Sequence, residues 1–180
     1  MDLQSPRFVS EIAKWVIGVV IAVALAAMLI WAFGNRVSVD GHSMTPLLSD
    51  GDTVLIDRLG YRFHDIERFD VVSFTYGDGR TSVKRIIGLP GERVRITGGS
   101  VYINDSLLDF PYGEAVYNVP GLAEDTVTLL QDEYFVLGDN GDSSEDSRFL
   151  AVGTVTSDNI EGRVWIRIAP LSEIGFIGNE

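Results

Sequence analysis

The chain of 180 residues contains no cysteine and only two histidines, His42 and His64. The absence of cysteine excludes disulfide bonds and thiolate chemistry. It does not identify a compartment, because reducing and oxidising locations both tolerate it. Two histidines without cysteine also exclude a zinc site built from several His or Cys ligands. We therefore expect no such metal centre. We expect no cofactor either.

Basic residues are outnumbered, with 14 Lys and Arg against 26 Asp and Glu, which gives a net charge of −12. An acidic surface of this kind is repelled by phosphate backbones, so nucleic acid is not expected as a partner. The chain also lacks internal repeats and low-complexity tracts. About 145 residues follow the N-terminal apolar run, enough to bury one core.

The apolar run extends from Trp15 to Phe33, 19 residues without a charge. As an α-helix it would be about 28 Å long, close to the hydrocarbon thickness of a bilayer. The alternative is a cleaved secretion signal, for which Ala24-Leu25-Ala26 resembles a cleavage site. That site lies inside the run, however, and the run is long for a signal core. We predict an N-terminal segment over 1–14 and a transmembrane helix over 15–34.

The charges beside this run favour a cytoplasmic N-terminus, because Arg7 and Lys14 precede it and only Arg36 follows closely. The difference is only two basic residues against one, and a large C-terminal domain can cross a membrane whatever the charges beside the helix. On this basis we expect residues 35–180 to lie on the outer side of the membrane.

From Arg36 onward the sequence consists of short runs rich in Val, Ile, Tyr and Phe, bounded by Gly, Asp, Asn and Pro. No stretch here has a sustained amphipathic helical period. The pattern predicts an antiparallel β domain over 35–180. The section 98–130 differs, because a hairpin-like "GGSVYINDSLL" leads into irregular acidic sequence, and we predict an inserted ribbon or loop there.

The first of three segments with reactive groups is "GHSMTP", which contains Ser43. A serine between glycine and proline is most often a turn residue. A nucleophilic serine would need a base that can take its proton. His42 is a poor candidate because adjacent side chains diverge, and His64 in "YRFHD" is typical of a surface residue.

The second segment is "SVKRIIGLPGE". In a strand, Lys84 shares a face with Ser82 and Ile86, whereas Arg85 points to the other side. Either one of these two cations stays in water while the other is drawn against the core, or both reach solvent on their flexible stems. A buried lysine would have a use, since desolvation lowers its pKa from about 10.4 by up to several units. A pKa near 7 would make the amine a workable general base.

The third segment is "LGDNGDSSEDSR". A calcium loop starting at Asp139 fails the EF-hand spacing, because Gly141 stands at the third position and Ser144 at the sixth, where glycine is required. A solvated loop is one alternative. In the other, Asp146 and Arg148 pair to hold the loop, which leaves Ser144 able to orient a neutral amine by hydrogen bonding.

Taken together, the motifs resemble bacterial type I signal peptidases, the membrane-anchored serine proteases of the leader peptidase family that use a Ser/Lys dyad. The resemblance extends from the apolar run to about Val164, with little of it in 110–130. It rests on the order and approximate spacing of the apolar run, "GHSMTP", "GDTVLI", "RFDVVSF", "VKRIIGLPGE", "GDNGDSSEDSR" and "DNIEGRV".

The resemblance implies that Ser43 is the nucleophile and Lys84 the general base. It also implies that Ser144 hydrogen-bonds the lysine and that Asp146 and Arg148 support the site. The other positions that match the motifs, or that would turn the chain at the nucleophile, are Gly41, Met44, Pro46, Gly51, Asp52, Gly138, Asp139, Asn140 and Ser147.

The implied fold is a mainly β catalytic domain outside the cytoplasmic membrane of a bacterium. The implied activity is cleavage of signal peptides from exported preproteins after small residues, at Ala-X-Ala sites, through an acyl-enzyme. Its partners would be preproteins and the lipid bilayer. The sequence departs from the family pattern at Leu47, at Gly141 and in a stretch about two residues longer between Arg148 and Gly153.

Two other functions are compatible with these residues. One is a Ser-His-Asp hydrolase with His64 as the base. The other is a membrane-tethered β module that binds peptides without cutting them, a possibility that the departures at Leu47 and Gly141 keep open.

Overall fold

The structure is a computed structural model, and it describes residues 6–33, 35–113 and 115–178. The helix α1 (Pro6–Phe33) comes first. Within it, Ser10–Met28 is long and apolar enough to cross a membrane, and none of this stretch is buried in the protein. The helix begins nine residues before the predicted span, at Pro6, and proline is well accommodated in a first helical turn. Residue 34, the last of the predicted span, lies outside the described residues.

The rest of the described chain is mostly antiparallel β-sheet, which confirms the predicted fold class. In chain order the strands are β1 (Arg36–Ser38), β2 (Thr53–Asp57), β3 (Val71–Tyr76), β4 (Arg80–Gly88), β5 (Arg93–Thr97), β6 (Ser100–Ile103), β7 (Ser106–Leu107), β8 (Val127–Thr128), β9 (Glu133–Leu137), β10 (Val155–Thr156), β11 (Ile160–Ala169) and β12 (Gly175–Phe176).

The strands form two sheets. The larger has the order β1-β2-β11-β3-β4-β9-β10, with β12 paired to β11, and the smaller has the order β7-β6-β5-β8. Burial alternates along β5, so that Val94 and Ile96 point inward. These two residues pack with Ile87 of β4 and Phe135 of β9 in one core between the sheets. The small sheet overlaps the predicted section 98–130 and begins earlier, at β5.

A short helix, α2 (Arg58–Phe63), follows β2 directly. The side chain of Asp57 caps it, accepting a hydrogen bond from Gly60 N at 2.7 Å. This helix is not predicted from the sequence, because six residues are too few to show a helical period. The Asp-x-x-Gly cap was the signal that could have revealed it.

The fold places β4 between β3 and β9, so that strands lie on both sides of its two basic residues. Lys84 is opposite Val72 of β3, and Arg85 is opposite Leu137 of β9. The connection from β1 to β2 carries Ser43 and is anchored in a second core, which contains Met44, Leu48, Val54, Ile56, Val71, Val83 and Val164.

Candidate active site

The turn that carries Ser43 is stabilised by backbone hydrogen bonds between its two ends and by a buried side chain. Val39 N donates to Asp52 O at 2.8 Å and Gly51 N to Val39 O at 2.9 Å, which closes the loop. Met44 is completely buried and acts as an anchor beneath the turn. Gly41 has a φ of +81°, a left-handed conformation that glycine adopts without strain. The local sequence therefore presents the Ser43 side chain, which is half-buried, above an apolar base.

The structure brings Lys84 to this serine. Lys84 Nζ lies 2.9 Å from Ser43 Oγ, although the two residues are 41 positions apart in the chain. Two further oxygens lie close to the amine, Ser82 Oγ at 2.9 Å and Val83 O at 3.1 Å. Ser82 is on the predicted strand face, two residues before the lysine. The amine is thus surrounded by three oxygens at hydrogen-bonding distance.

Burial changes the protonation of this amine. Lys84 is 4% exposed. Desolvation by burial lowers its pKa from 10.5 to about 8, against the opposing attraction of Asp146, Glu145 and Asp139. Because the pKa lies close to neutral pH, a useful fraction of the amine is uncharged and able to accept a proton.

Arg85 is buried as well, with 1% exposure. The expectation that at least one of the two adjacent cations reaches solvent is therefore wrong. Arg85 Nε and Nη2 donate to the two carboxylate oxygens of Asp139 at 2.8 and 2.6 Å, and Nη1 donates to Phe69 O at 3.0 Å. The guanidinium also lies 4.0 Å from the centre of the Tyr112 ring. A bidentate partner and an aromatic face compensate the loss of water.

Asp146 and Arg148 form a fully buried ion pair in the loop after β9. Arg148 Nε donates to Asp146 Oδ1 at 2.8 Å, and the other carboxylate oxygen accepts from Gly138 N at 3.1 Å. Arg148 also donates to Val119 O at 3.0 Å and to Gly141 O at 2.8 Å. The pair therefore joins both ends of the loop to the segment before β8.

The loop packs directly against the turn of the serine. Asn140 N donates to Ser43 O at 3.0 Å. A side chain at Gly138 would overlap both Ser144 Oγ and the Ser43 carbonyl oxygen, so only glycine fits there. Ser147 Oγ accepts from Val136 N at 2.9 Å and holds the loop to β9. The backbone of Ser43 is therefore held in place both by its own turn and by the loop that follows β9.

The expected hydrogen bond from Ser144 to the lysine is absent. The Ser144 hydroxyl is buried, and among the described residues it has no hydrogen-bond partner. Ser82 occupies the corresponding place at the amine. Ser82 lies on the same strand face as Lys84, two residues away, so the strand places it beside the lysine. The position of Ser144 depends instead on the path of its loop.

The remaining predicted residues have structural positions around the site. Pro46 is exposed beyond the turn, and Leu47 is half-buried. Asp52 is buried, accepting from Ser49 N at 2.9 Å and from Arg167 Nη1 at 2.9 Å. His64 is exposed, and its Nδ1 lies 3.0 Å from Gly60 O of α2. The structure thus gives His64 a contact within α2 and gives the Ser43 hydroxyl a contact with Lys84.

A small cavity opens beside Ser43 and Lys84, with a volume of about 50 Å³. Two chain segments line it, 37–40 and 81–84. A cavity of this volume has room for a small side chain.

Comparison with known proteins identifies the family. Residues 12–169 match the family model described as signal peptidase, peptidase S26. The chain belongs to this signal peptidase family. Signal peptidase IB of Staphylococcus aureus (strain COL) is 31% identical over 178 residues, which cover 91% of this chain and 92% of that protein. The probable signal peptidase I-2 of Synechocystis sp. is 34% identical over 149 residues, 79% of this chain and 66% of that protein.

A solved structure is also similar, that of a signal peptidase I from Enterococcus faecalis V583. It has 32% sequence identity and a TM-score of 0.47, and the match covers 56% of this chain and 97% of that one. The resemblance to type I signal peptidases inferred from the motifs is confirmed by the family match. Membership in the signal peptidase family makes the chain a hydrolase of the peptidase class.

Two residues of the candidate site were not recognised from the sequence. Ser82 was placed on the face of Lys84 without a role, although a hydroxyl two residues from a buried amine was a usable signal. Tyr117 donates from its hydroxyl to Gly138 O at 3.1 Å. It lies in the section where the family resemblance is weak, so no motif pointed to it.

Proposed function

We propose that the chain is a membrane-anchored signal peptidase that removes N-terminal signal peptides from exported preproteins by means of a Ser43/Lys84 dyad. The observation that carries this proposal is the 2.9 Å separation of Lys84 Nζ and Ser43 Oγ around a buried amine. Family membership supports the reaction class. The geometry supports these two residues as the ones that perform it.

In the proposed mechanism, uncharged Lys84 accepts the proton of Ser43 Oγ as that oxygen attacks the scissile carbonyl. The resulting ammonium then protonates the leaving amine. Water hydrolyses the acyl-enzyme, with Lys84 again as the base. The lysine performs both proton transfers because its pKa of about 8 lies near the working pH.

The backbone N–H of Ser43 is the proposed donor to the oxyanion. Gly41 has no side-chain hydroxyl to add, and its left-handed φ of +81° turns the chain just before this amide. Asn140 N holds the carbonyl of Ser43 at 3.0 Å, which steadies the following peptide unit. A preorganised oxyanion donor is typically worth about 3 kcal/mol.

The substrate would bind as an extended strand between segments 37–40 and 81–84, which line the small cavity. A cavity of about 50 Å³ supports alanine-sized side chains at the residue before the scissile bond. This is the physical basis that we propose for cleavage at Ala-X-Ala sites.

A preprotein with an Ala-X-Ala site tests the proposal. We expect the purified full-length chain in detergent to cut it after the second alanine, as seen by mass spectrometry of the new N-terminus. Changing that alanine to leucine should reduce kcat/KM by more than about 100-fold, because the larger side chain does not fit. The Ser43→Ala variant is the negative control, because it lacks the proposed nucleophile. Equal cleavage of both preproteins would contradict the proposed pocket, and no cleavage by the parent chain would favour a peptide-binding module.

The pH dependence provides a second prediction. With a pKa of about 8, the uncharged fraction of Lys84 rises from about 10% at pH 7 to about 90% at pH 9. We therefore expect kcat/KM to rise about tenfold over this range. Initial rates on a peptide substrate without groups that titrate there would measure it, with circular dichroism at each pH as the control for folding. A profile that is flat, or that falls as the pH rises, would contradict Lys84 as the base.

We further propose that α1 anchors the enzyme with residues 1–14 in the cytoplasm and residues 35–180 outside. Ser43 follows Phe33, the last residue of α1, by ten positions. Even a fully extended connection keeps Ser43 within about 35 Å of the end of the helix. Because a signal peptide is itself held in the bilayer, this tether would raise the effective concentration of the scissile bond at Ser43.

A further inference from the structure

The environment of Lys84 Nζ contains more than the contact with Ser43. Three oxygens surround the amine: Ser43 Oγ and Ser82 Oγ at 2.9 Å, and Val83 O at 3.1 Å. An uncharged primary amine has two N–H bonds and one lone pair. Val83 O is a carbonyl and can only accept, so one N–H is directed to it. The direction of the second N–H, toward Ser82 Oγ or toward Ser43 Oγ, then determines which of these two oxygens the lone pair faces.

We propose that Ser82 is a positioning residue for Lys84: its hydroxyl oxygen accepts the second N–H, so that the lone pair is directed at the Ser43 hydroxyl. This inference rests on the proposed function. Ser82 contacts the amine of Lys84 and acts through it, without taking part in the proton transfer itself. Without it, the amine can rotate about its last bond and direct an N–H at Ser43, which is the wrong polarity for a base.

The position of Ser82 is set by the strand. It lies opposite Phe74 of β3, and Lys84 lies opposite Val72, so the pairing of β3 with β4 holds both residues in register. Ser144, to which the family resemblance assigns this role, has a buried hydroxyl that makes no hydrogen bond with the described residues. In this chain the acceptor for the lysine therefore comes from the strand and not from the loop.

The charged groups around the amine do not replace Ser82. The carboxylates that act on Lys84 are those of Asp146, Glu145 and Asp139. Each has a cation of its own: Asp146 is paired with Arg148 at 2.8 Å, Asp139 with Arg85 at 2.6 Å, and Glu145 with Arg80 at 3.9 Å. They attract the ammonium form from a distance, whereas Ser82 and Val83 are the groups that orient the amine.

The Ser82→Ala variant of the full-length chain tests this inference. We expect kcat to fall between about 10-fold and 100-fold, with KM changed less than about twofold, because the defect is in the orientation of the base. The rise of kcat/KM with pH should also move to lower pH, since a lost acceptor destabilises the ammonium form and lowers the pKa of the lysine. Ser82→Thr keeps the hydroxyl and should restore most of kcat.

Ser106→Ala is the matched control, because Ser106 is exposed on β7 in the small sheet. Ser82→Cys keeps the size of the side chain but has a weak acceptor, so it should lose kcat as alanine does even if the alanine variant is unstable. Parent-like kcat in Ser82→Cys, or a Ser82→Thr variant as slow as Ser82→Ala, would overturn the inference. If Lys84→Ala is inactive while the Ser82 variants are fully active, only this inference fails. If Lys84→Ala remains active, the proposed dyad itself fails.

Discussion

Replacing Lys84 with alanine is expected to reduce kcat for preprotein cleavage by at least about 10,000-fold, the scale on which residues of a catalytic unit act. The serine would keep its hydroxyl but would have no base within reach, since Lys84 Nζ is the group 2.9 Å from Ser43 Oγ. Ser43→Ala should be equally inactive, and the double variant no worse than either single one, because the two residues act as a unit.

Two companion variants make this experiment specific. Lys84→Arg keeps a positive charge that cannot be removed near neutral pH, so it should be inactive if the lysine acts as a base. His64→Ala should keep parent activity, because the contact of His64 is with Gly60 O on α2. Loss of activity in His64→Ala together with activity in Lys84→Ala would establish the Ser-His-Asp alternative instead.

Replacing Asp146 with alanine is expected to destabilise the folded protein by about 3–5 kcal/mol, because it leaves the buried Arg148 guanidinium without its counter-ion. The Gly138 N–H would lose its acceptor as well. Since Gly138 lies against the Ser43 carbonyl, we expect activity to fall together with stability. Urea denaturation followed by tryptophan fluorescence measures the first effect, and preprotein cleavage measures the second.

The control for this prediction is an ion pair of the same type on the surface. Asp105 and Arg93 form such a pair, and the Asp105 side chain is 66% exposed. Arg93→Ala removes this pair without changing Asp105, whose φ of +69° alanine would adopt only with strain. It should change the free energy of unfolding by less than about 1 kcal/mol. Replacing Asp146 and Arg148 together with apolar residues should cost less than removing Asp146 alone, because no uncompensated charge remains. Similar losses of stability for Asp146→Ala and Arg93→Ala would show that burial does not matter at the Asp146–Arg148 pair.

The outcome at β4 shows how far sequence reasoning extends. Strand alternation correctly placed Ser82 on the same face as Lys84, because side-chain direction is a local property with a period of two. The expectation that at least one of the two cations reaches solvent was wrong, since Lys84 and Arg85 are both buried. The partner that makes burial of Arg85 tolerable is Asp139, which is 54 positions away. The alternation of side chains along a strand cannot predict a contact between residues so far apart in the chain.

The sequence by itself determined the apolar helix, the antiparallel β class and the family, because length, hydrophobic alternation and ordered motifs are all carried by local residue patterns. Only the tertiary structure decided that the amine of Lys84 is buried and lies beside the Ser43 hydroxyl. It also decided that the second hydroxyl next to this amine belongs to Ser82 and not to Ser144. Those facts depend on which distant segments pack together, and packing sets both the distances and the access of water from which the chemistry follows.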